Sequence, residues 1–303
     1  MSKFKLNKNY KPKNFLDLYV PEEVTFENSE VVVLPYGYEG TVTFGDGTKK
    51  GPKKLIEASW QVELFDTEIL DDIQNKIKIW TAKQPKIPKN INSMVKNLKE
   101  IILEIFENKK LPVVIGGEHS ISYGFAQAIN EKYKDVSVLV FDSHMDLKDR
   151  YSGKDFSHAS WLKYSLDLPN IKTATLIGIR NCNLDEYNYS QENKSKINIF
   201  WAKDRKNWDI KQIVDSLNEN VYLSFDIDAL DSSIMPSTGT PEPSGIFFDE
   251  TLEIIKEVAK NKNIIGIDLV ELAPIKKLHA PDFLAAKLLM KMILYKFKAK
   301  NTN

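Results

Sequence analysis

The chain has 303 residues, long enough to bury a large core, and its 42 basic side chains match its 42 acidic ones. That balance gives it no electrostatic reason to seek nucleic acid or an anionic membrane, so neither is expected as a partner. Cys182 is the only cysteine, which excludes an intrachain disulfide and a cysteine-based zinc site. The opening stretch MSKFKLNKNYKPKN is basic but leads into no apolar segment, so it does not read as a secretory signal. No apolar run approaches the ~20 residues needed to span a bilayer. A cytoplasmic location is the expectation.

Short apolar runs alternate with segments of helical period. A strand at Val31–Leu34 comes first, then a helix over Ile91–Phe106, where Ile91, Met94, Val95, Leu98, Ile101, Ile102 and Ile105 form one stripe. Next are a strand at Pro112–Ile115 and a helix at Ile121–Tyr133, then strands at Val136–Phe141, Thr175–Ile179 and Val221–Phe225. A helix at Glu250–Lys260, a strand at Ile264–Leu269 and a helix at Asp282–Phe297 complete the series. Continuous apolar strands alternating with helices predict an α/β fold whose mostly parallel sheet is covered on both faces. No linker, repeat or low-complexity block interrupts residues 1–303, so one domain is expected, with 1–28 and 298–303 as peripheral tails.

The residues just past each strand carry the chemistry, because open α/β sheets bind ligands at the carboxyl ends of their strands. The strand at Pro112–Ile115 runs into Gly116-Gly117-Glu118-His119, and the one ending at Phe141 runs into Asp142-Ser143-His144-Met145-Asp146. Asp226 and Asp228 come after Phe225, and Asp268 to Glu271 close the strand that begins at Ile264. Alternation along an extended chain lets Asp142, His144 and Asp146 share a face, as Asp226 and Asp228 can. Four converging carboxylates would repel one another unless cations neutralise them. Two divalent ions would do so, with His119 and His144 as neutral nitrogen ligands. This oxygen-rich set suits manganese better than a thiolate zinc site would, and leaves zinc, iron and nickel open.

GGEHS, DSHMD and SFDIDALD resemble, in order and spacing, the three metal-binding motifs of the ureohydrolases, the family of arginases and agmatinases. GTKKGP at 47–52, SHAS at 157–160, STGTPEPSG at 237–245 and DLVELAP at 268–274 extend the resemblance over about residues 30–290. The segment DLKDRYSGKDFSHAS is similar to agmatinases of archaea and Gram-positive bacteria. The chain departs from the usual motifs at Ser143 in place of Ala, Glu118 in place of Asp, Ser244 in place of Gly, and Ser232 in place of Pro. No ligand position is lost.

The resemblance implies a three-layer α/β/α, arginase-like fold and two Mn2+ held by His119, Asp142, His144, Asp146, Asp226 and Asp228. It also implies that Glu271 pairs with the substrate guanidinium, that His158 transfers protons or orients substrate, and that Asp146 handles the transferred proton. The implied reaction releases urea and putrescine from agmatine. Arginine, guanidinobutyrate and a non-enzymatic metal-binding role are the alternatives. Homo-oligomers, trimeric or hexameric, are implied too. Lys148 and Arg150, on the loop from Leu147 to His158, are candidate clamps for a substrate carboxylate, or else solvated partners of Asp149 and Asp155. His279 reads as structural or peripheral and Cys182 as inert. The glycines of EGTVTFGDGTKKG do not match a phosphate loop and open no evident helix, so a substrate-facing or subunit-contact loop is expected.

Overall fold

Each central strand buries both faces, and the two faces feed different cores. In this computed structural model, which describes residues 5–11, 13–17, 24–42, 44–73, 76–151, 153 and 156–298, side chains along each strand alternate between the two. Val31 and Val33 of β1 (Val31–Tyr36) enter one core, while Val32, Leu34 and Tyr36 enter the other.

After β1 come α1 (Gly51–Ser59), the short hairpin β2 (Phe65–Asp66) and β3 (Asp71–Asp72), β4 (Ile79–Thr81), α2 (Ile91–Glu107), β5 (Leu111–Gly116) and α3 (Ile121–Lys132). Next are β6 (Val136–Phe141), α4 (Trp161–Leu166), β7 (Ile171–Ile179), α5 (Leu184–Glu192), β8 (Ile197–Trp201) and α6 (Ile210–Asp215). The chain continues through β9 (Asn220–Asp226), α7 (Phe248–Asn261), β10 (Asn263–Val270) and α8 (Ala280–Lys298). Among the described residues the main sheet has eight strands in the order β4-β1-β5-β10-β9-β6-β7-β8, every neighbouring pair parallel. Helices α1, α6, α7 and α8 pack on one face through Leu55, Ile213, Ile255 and Leu289, and α2, α3 and α4 on the other through Leu98, Phe125 and Trp161. This is the expected three-layer α/β/α arrangement.

Every strand and helix read from periodicity is present, with ends shifted by a few residues. The reading missed the short elements: the hairpin β2 and β3, the three-residue β4, the helices α4, α5 and α6, and the edge strand β8, four of whose five residues are only partly buried. It also found no helix after GTKKG. There a 3-10 turn at Thr48–Lys50 runs into α1, with Pro52 in the first helical turn, where its missing N–H costs nothing. The stretch expected to be an amino-terminal tail is not wholly peripheral: Phe15 and Leu16 are buried, and the Phe15 N–H donates to Thr81 Oγ1 at 2.8 Å. No helix among the described residues is long and apolar enough to cross a membrane.

Candidate metal centre and active-site cleft

Four adjacent strands, β5, β10, β9 and β6, end on the same side of the sheet and deliver the acidic and imidazole groups there. The turn after β5 requires Gly117, since a Cβ at that position would lie 1.8 Å from the Tyr38 carbonyl oxygen. Two of the delivered residues adopt the left-handed region that non-glycine residues avoid, Asp146 at φ 52° and Glu271 at φ 65°. The Glu271 N–H donates to Gly117 O at 2.8 Å, tying the ends of β10 and β5 together.

His119 Nδ1 lies 3.1 Å from Asp142 Oδ2 and 3.2 Å from both Asp146 Oδ2 and Asp226 Oδ2. His144 Nδ1 lies 3.1 Å from Asp228 Oδ2 and 3.5 Å from Asp142 Oδ1. Asp142 therefore turns one oxygen toward each group. His119, Asp142 and Asp146 form one set able to hold a cation, and Asp142, His144 and Asp228 a second. Backbone bonds fix the carboxylates: Asp142 Oδ1 accepts the His144 N–H at 2.6 Å, Asp228 Oδ1 that of Ser143 at 2.9 Å, and Asp226 Oδ1 that of Asp228 at 2.9 Å. The indole N–H of Trp161 donates to Asp146 Oδ2 at 3.0 Å.

The donors fit cations better than they fit one another. His119 Nδ1 and Asp142 Oδ2 are buried with no hydrogen-bond partner, although they are 3.1 Å apart. The other ring nitrogen of His119, Nε2, lies 3.0 Å from Ser224 Oγ, which donates to Asp268 Oδ1 at 2.8 Å. With the serine proton given to Asp268, Nε2 carries the imidazole proton and Nδ1 presents its lone pair to the carboxylates. Ser122 Oγ and Tyr222 Oη also donate to the buried Asp268. Electrostatics shows how much positive charge the site demands: burial opposes protonation of His119, but Asp142, Asp146 and Asp226 override it and push its titration well up, so the lone pair is free only when a cation takes the proton's place. Burial, then repulsion from Asp228, pushes Asp142 and Asp226 above the usual carboxylate range. Burial opposes protonation of His144, but Asp228 and Asp142 override it and push it up to about 12. Without cations, protons must supply the missing positive charge.

These groups open into a cleft of about 200 Å3, also lined by His158, Glu271, Lys148, Tyr151, Asn181, Cys182, Glu186 and Thr238. All eight expected site residues line it or, for Asp142, lie beneath it. Glu271 Oε1 accepts the His119 N–H at 2.7 Å. Burial, then the Glu118 charge, pushes its carboxyl well up, and a guanidinium cation would relieve that. The His158 N–H donates to Thr41 Oγ1 at 3.0 Å, and the Tyr151 ring packs edge-on against the imidazole at 5.4 Å. Of the two candidate clamps, Lys148 lines the cleft, its ammonium 4.3 Å from the Tyr151 ring centre, whereas Arg150 is exposed and outside the lining. Asp149 pairs with Lys163, and Asp155 lies outside the described residues. His279 is exposed, away from the cleft. Val42, Phe44 and Gly45 bring the glycine-rich loop to the cleft.

Three residues of the site carried no motif signal. Arg180 donates to six backbone carbonyls, of Gly178, Asp228, Ala229, Leu230, Glu242 and Pro243, at 2.7–3.3 Å. It thereby holds the Asp228 turn against the loop bearing Thr238 to Thr240. Thr41 and Cys182 gave no signal either. Cys182 lines the cleft, where burial, then Glu186, raises its thiol and so favours the protonated form.

Known proteins resemble this chain in sequence and fold. The chain is 32% identical over 296 residues to the N(1)-aminopropylagmatine ureohydrolase of Synechocystis, covering 94% of each chain. It is 31% identical over 281 residues to the agmatinase of Pyrococcus horikoshii, covering 91% of this chain and 95% of that one. The crystal structure of the agmatine ureohydrolase of Thermoplasma volcanium superposes with a TM-score of 0.84 at 25% identity, over 96% of this chain and 97% of the other. The family model for the arginase family matches residues 29–295. The chain belongs to the arginase family, whose members are amidinohydrolases built around two metal ions.

Proposed function

We propose that the protein hydrolyses agmatine to putrescine and urea, using two manganese ions. The observation that carries this reading is the division of Asp142, whose two oxygens face two separate donor sets beneath a cleft that also exposes Glu271. His119, Asp142, Asp146 and Asp226 would hold one ion, and Asp142, His144 and Asp228 the other. Bound ions would make a shared water acidic enough to act as nucleophile near neutral pH. Glu271 would pair with the guanidinium and hold its carbon over the site. Asp146 would pass a proton to the departing amine as the carbon–nitrogen bond breaks, and His158 would exchange protons with solvent. A trimer or hexamer located in the cytoplasm completes the proposal.

Selectivity for the far end of the substrate falls to cleft residues beyond the ligands, among them Lys148, Tyr151, Asn181 and Glu186. Two substrates compete with agmatine. The similarity to the Synechocystis protein favours N(1)-aminopropylagmatine. The Lys148 ammonium would offer the α-carboxylate of arginine a partner. Urea release with manganese, measured across agmatine, N(1)-aminopropylagmatine, arginine and guanidinobutyrate, should show the highest kcat/KM for agmatine, and elemental analysis should find two metals per chain. A higher kcat/KM for another substrate would reassign the activity within the family. No urea from any substrate would leave only metal binding.

A further inference from the structure

Glu118 is fully buried, and its carboxylate is saturated. Oε2 accepts the backbone N–H groups of Gly40, Thr41 and Val42 at 2.9, 2.6 and 3.1 Å. Oε1 accepts the hydroxyls of Thr41 at 2.6 Å and Ser120 at 2.7 Å. The Thr41 oxygen in turn accepts the His158 backbone N–H and lies 3.1 Å from His158 Nδ1. A hydroxyl has one proton to donate. With that proton on the line to Glu118, Thr41 can meet the imidazole only as an acceptor.

We infer that Glu118, through Thr41, is a positioning residue that fixes the tautomer of His158, placing a proton on Nδ1 and leaving Nε2 as the nitrogen that exchanges protons in the cleft. The logic is that of the buried carboxylate that orients a catalytic histidine in hydrolytic triads, here with a threonine hydroxyl interposed. It also accounts for the loop at residues 40–42. The three backbone bonds hold Thr41 against the carboxylate, so its oxygen cannot swing away to let the imidazole turn. The inference rests on the proton-exchanging role proposed for His158.

Three substitutions test it. In Glu118→Gln the amide oxygen can keep the three backbone N–H bonds while the amide nitrogen donates to the Thr41 and Ser120 hydroxyls. The Thr41 proton then turns to Nδ1, and the imidazole proton moves to Nε2. Thr41→Val removes the link without changing side-chain size, and Thr41→Ser restores it. Because one proton-transfer step supplies ~10²–10⁴-fold, Glu118→Gln and Thr41→Val should lower kcat for urea release roughly 10- to 100-fold, while KM and metal content stay at wild type. Thr41→Ser should stay within about threefold of wild type, since it retains the hydroxyl.

A second measurement does not depend on turnover. Diethyl pyrocarbonate acylates the unprotonated imidazole nitrogen, and peptide mass spectrometry reads the modification of His158 directly. At one fixed pH above the titration of His158, its modification should be several-fold slower in Glu118→Gln than in wild type. Wild-type kcat and modification rate in Glu118→Gln and Thr41→Val would overturn the inference. Loss in Thr41→Ser equal to that in Thr41→Val would overturn it too, showing a packing role for Thr41. If wild-type protein released no urea, the proposed activity would fail, and the modification rates would still decide the tautomer.

Discussion

Replacing Glu271 by Gln isolates one charge. Glu271 is fixed from two sides, its N–H on Gly117 O and its Oε1 accepting the His119 N–H at 2.7 Å. Gln keeps the volume, retains a carbonyl oxygen for the His119 N–H, and tolerates the left-handed φ of 65° no worse than Glu does. The donor sets around Asp142 do not include Glu271, so both should still bind metal. The anion proposed to face the guanidinium is all that disappears. Removing one partner of a desolvated charge pair costs about 2–4 kcal/mol, roughly 30- to 1,000-fold in kcat/KM. The assay is steady-state urea release from agmatine, beside metal content by elemental analysis. The loss should appear in kcat/KM with two metals still bound. Unchanged kcat/KM would refute the role of Glu271, and loss of metal along with activity would make it part of the metal site. Glu271→Asp, which keeps the charge but retracts it by one methylene, should fall between wild type and Gln.

Three other expected outcomes rest on buried networks. Ser224→Ala leaves His119 Nε2 without its acceptor and should weaken binding at the His119 site by roughly 10- to 100-fold, read by metal titration; wild-type affinity would count against the tautomer assigned to His119. Arg180→Lys leaves a group with three N–H donors where six carbonyls now receive a guanidinium, so it should cost about 2–4 kcal/mol of stability in denaturant unfolding, and a loss under about 0.5 kcal/mol would refute the clamp. The last concerns Glu68, next to Asp66 and the buried Lys291. Burial works against its ionisation, but hydrogen bonds from Lys256, Tyr295 and Lys291 bring it down from 4.5 to about 2. A depressed carboxylate stabilises the fold above its unfolded value and loses that contribution as pH falls through the folded one. The window is therefore about 4.5 down to about 2. Discounted for partial exposure, the stability gap between wild type and Glu68→Gln should shrink by about 1–2 kcal/mol across it, and a constant gap would reject the pairing.

The convergence of the candidate ligands was legible in the sequence because these groups stand a few residues apart, directly after apolar strands. Asp142, His144 and Asp146 need only alternation and the next turn to converge, and Asp226 and Asp228 need less. The parallel sheet then supplies the one long-range step, setting the ends of β5, β10, β9 and β6 side by side. The contacts that fix the ligands were not legible, since they depend on pairs with no local pattern. Thr41 meets Glu118 across 77 positions and His158 across 117. Arg180 reaches Asp228 across 48 and Pro243 across 63. In a chain whose cations are nearly all Lys, Arg180 stands where a planar fork meets converging carbonyls. No lysine could replace it bond for bond. Arg150 is exposed, while Lys148 lines the cleft. The two cases differ in their surroundings. Six carbonyls converge on Arg180 from three segments, and the tertiary fold alone brings them together.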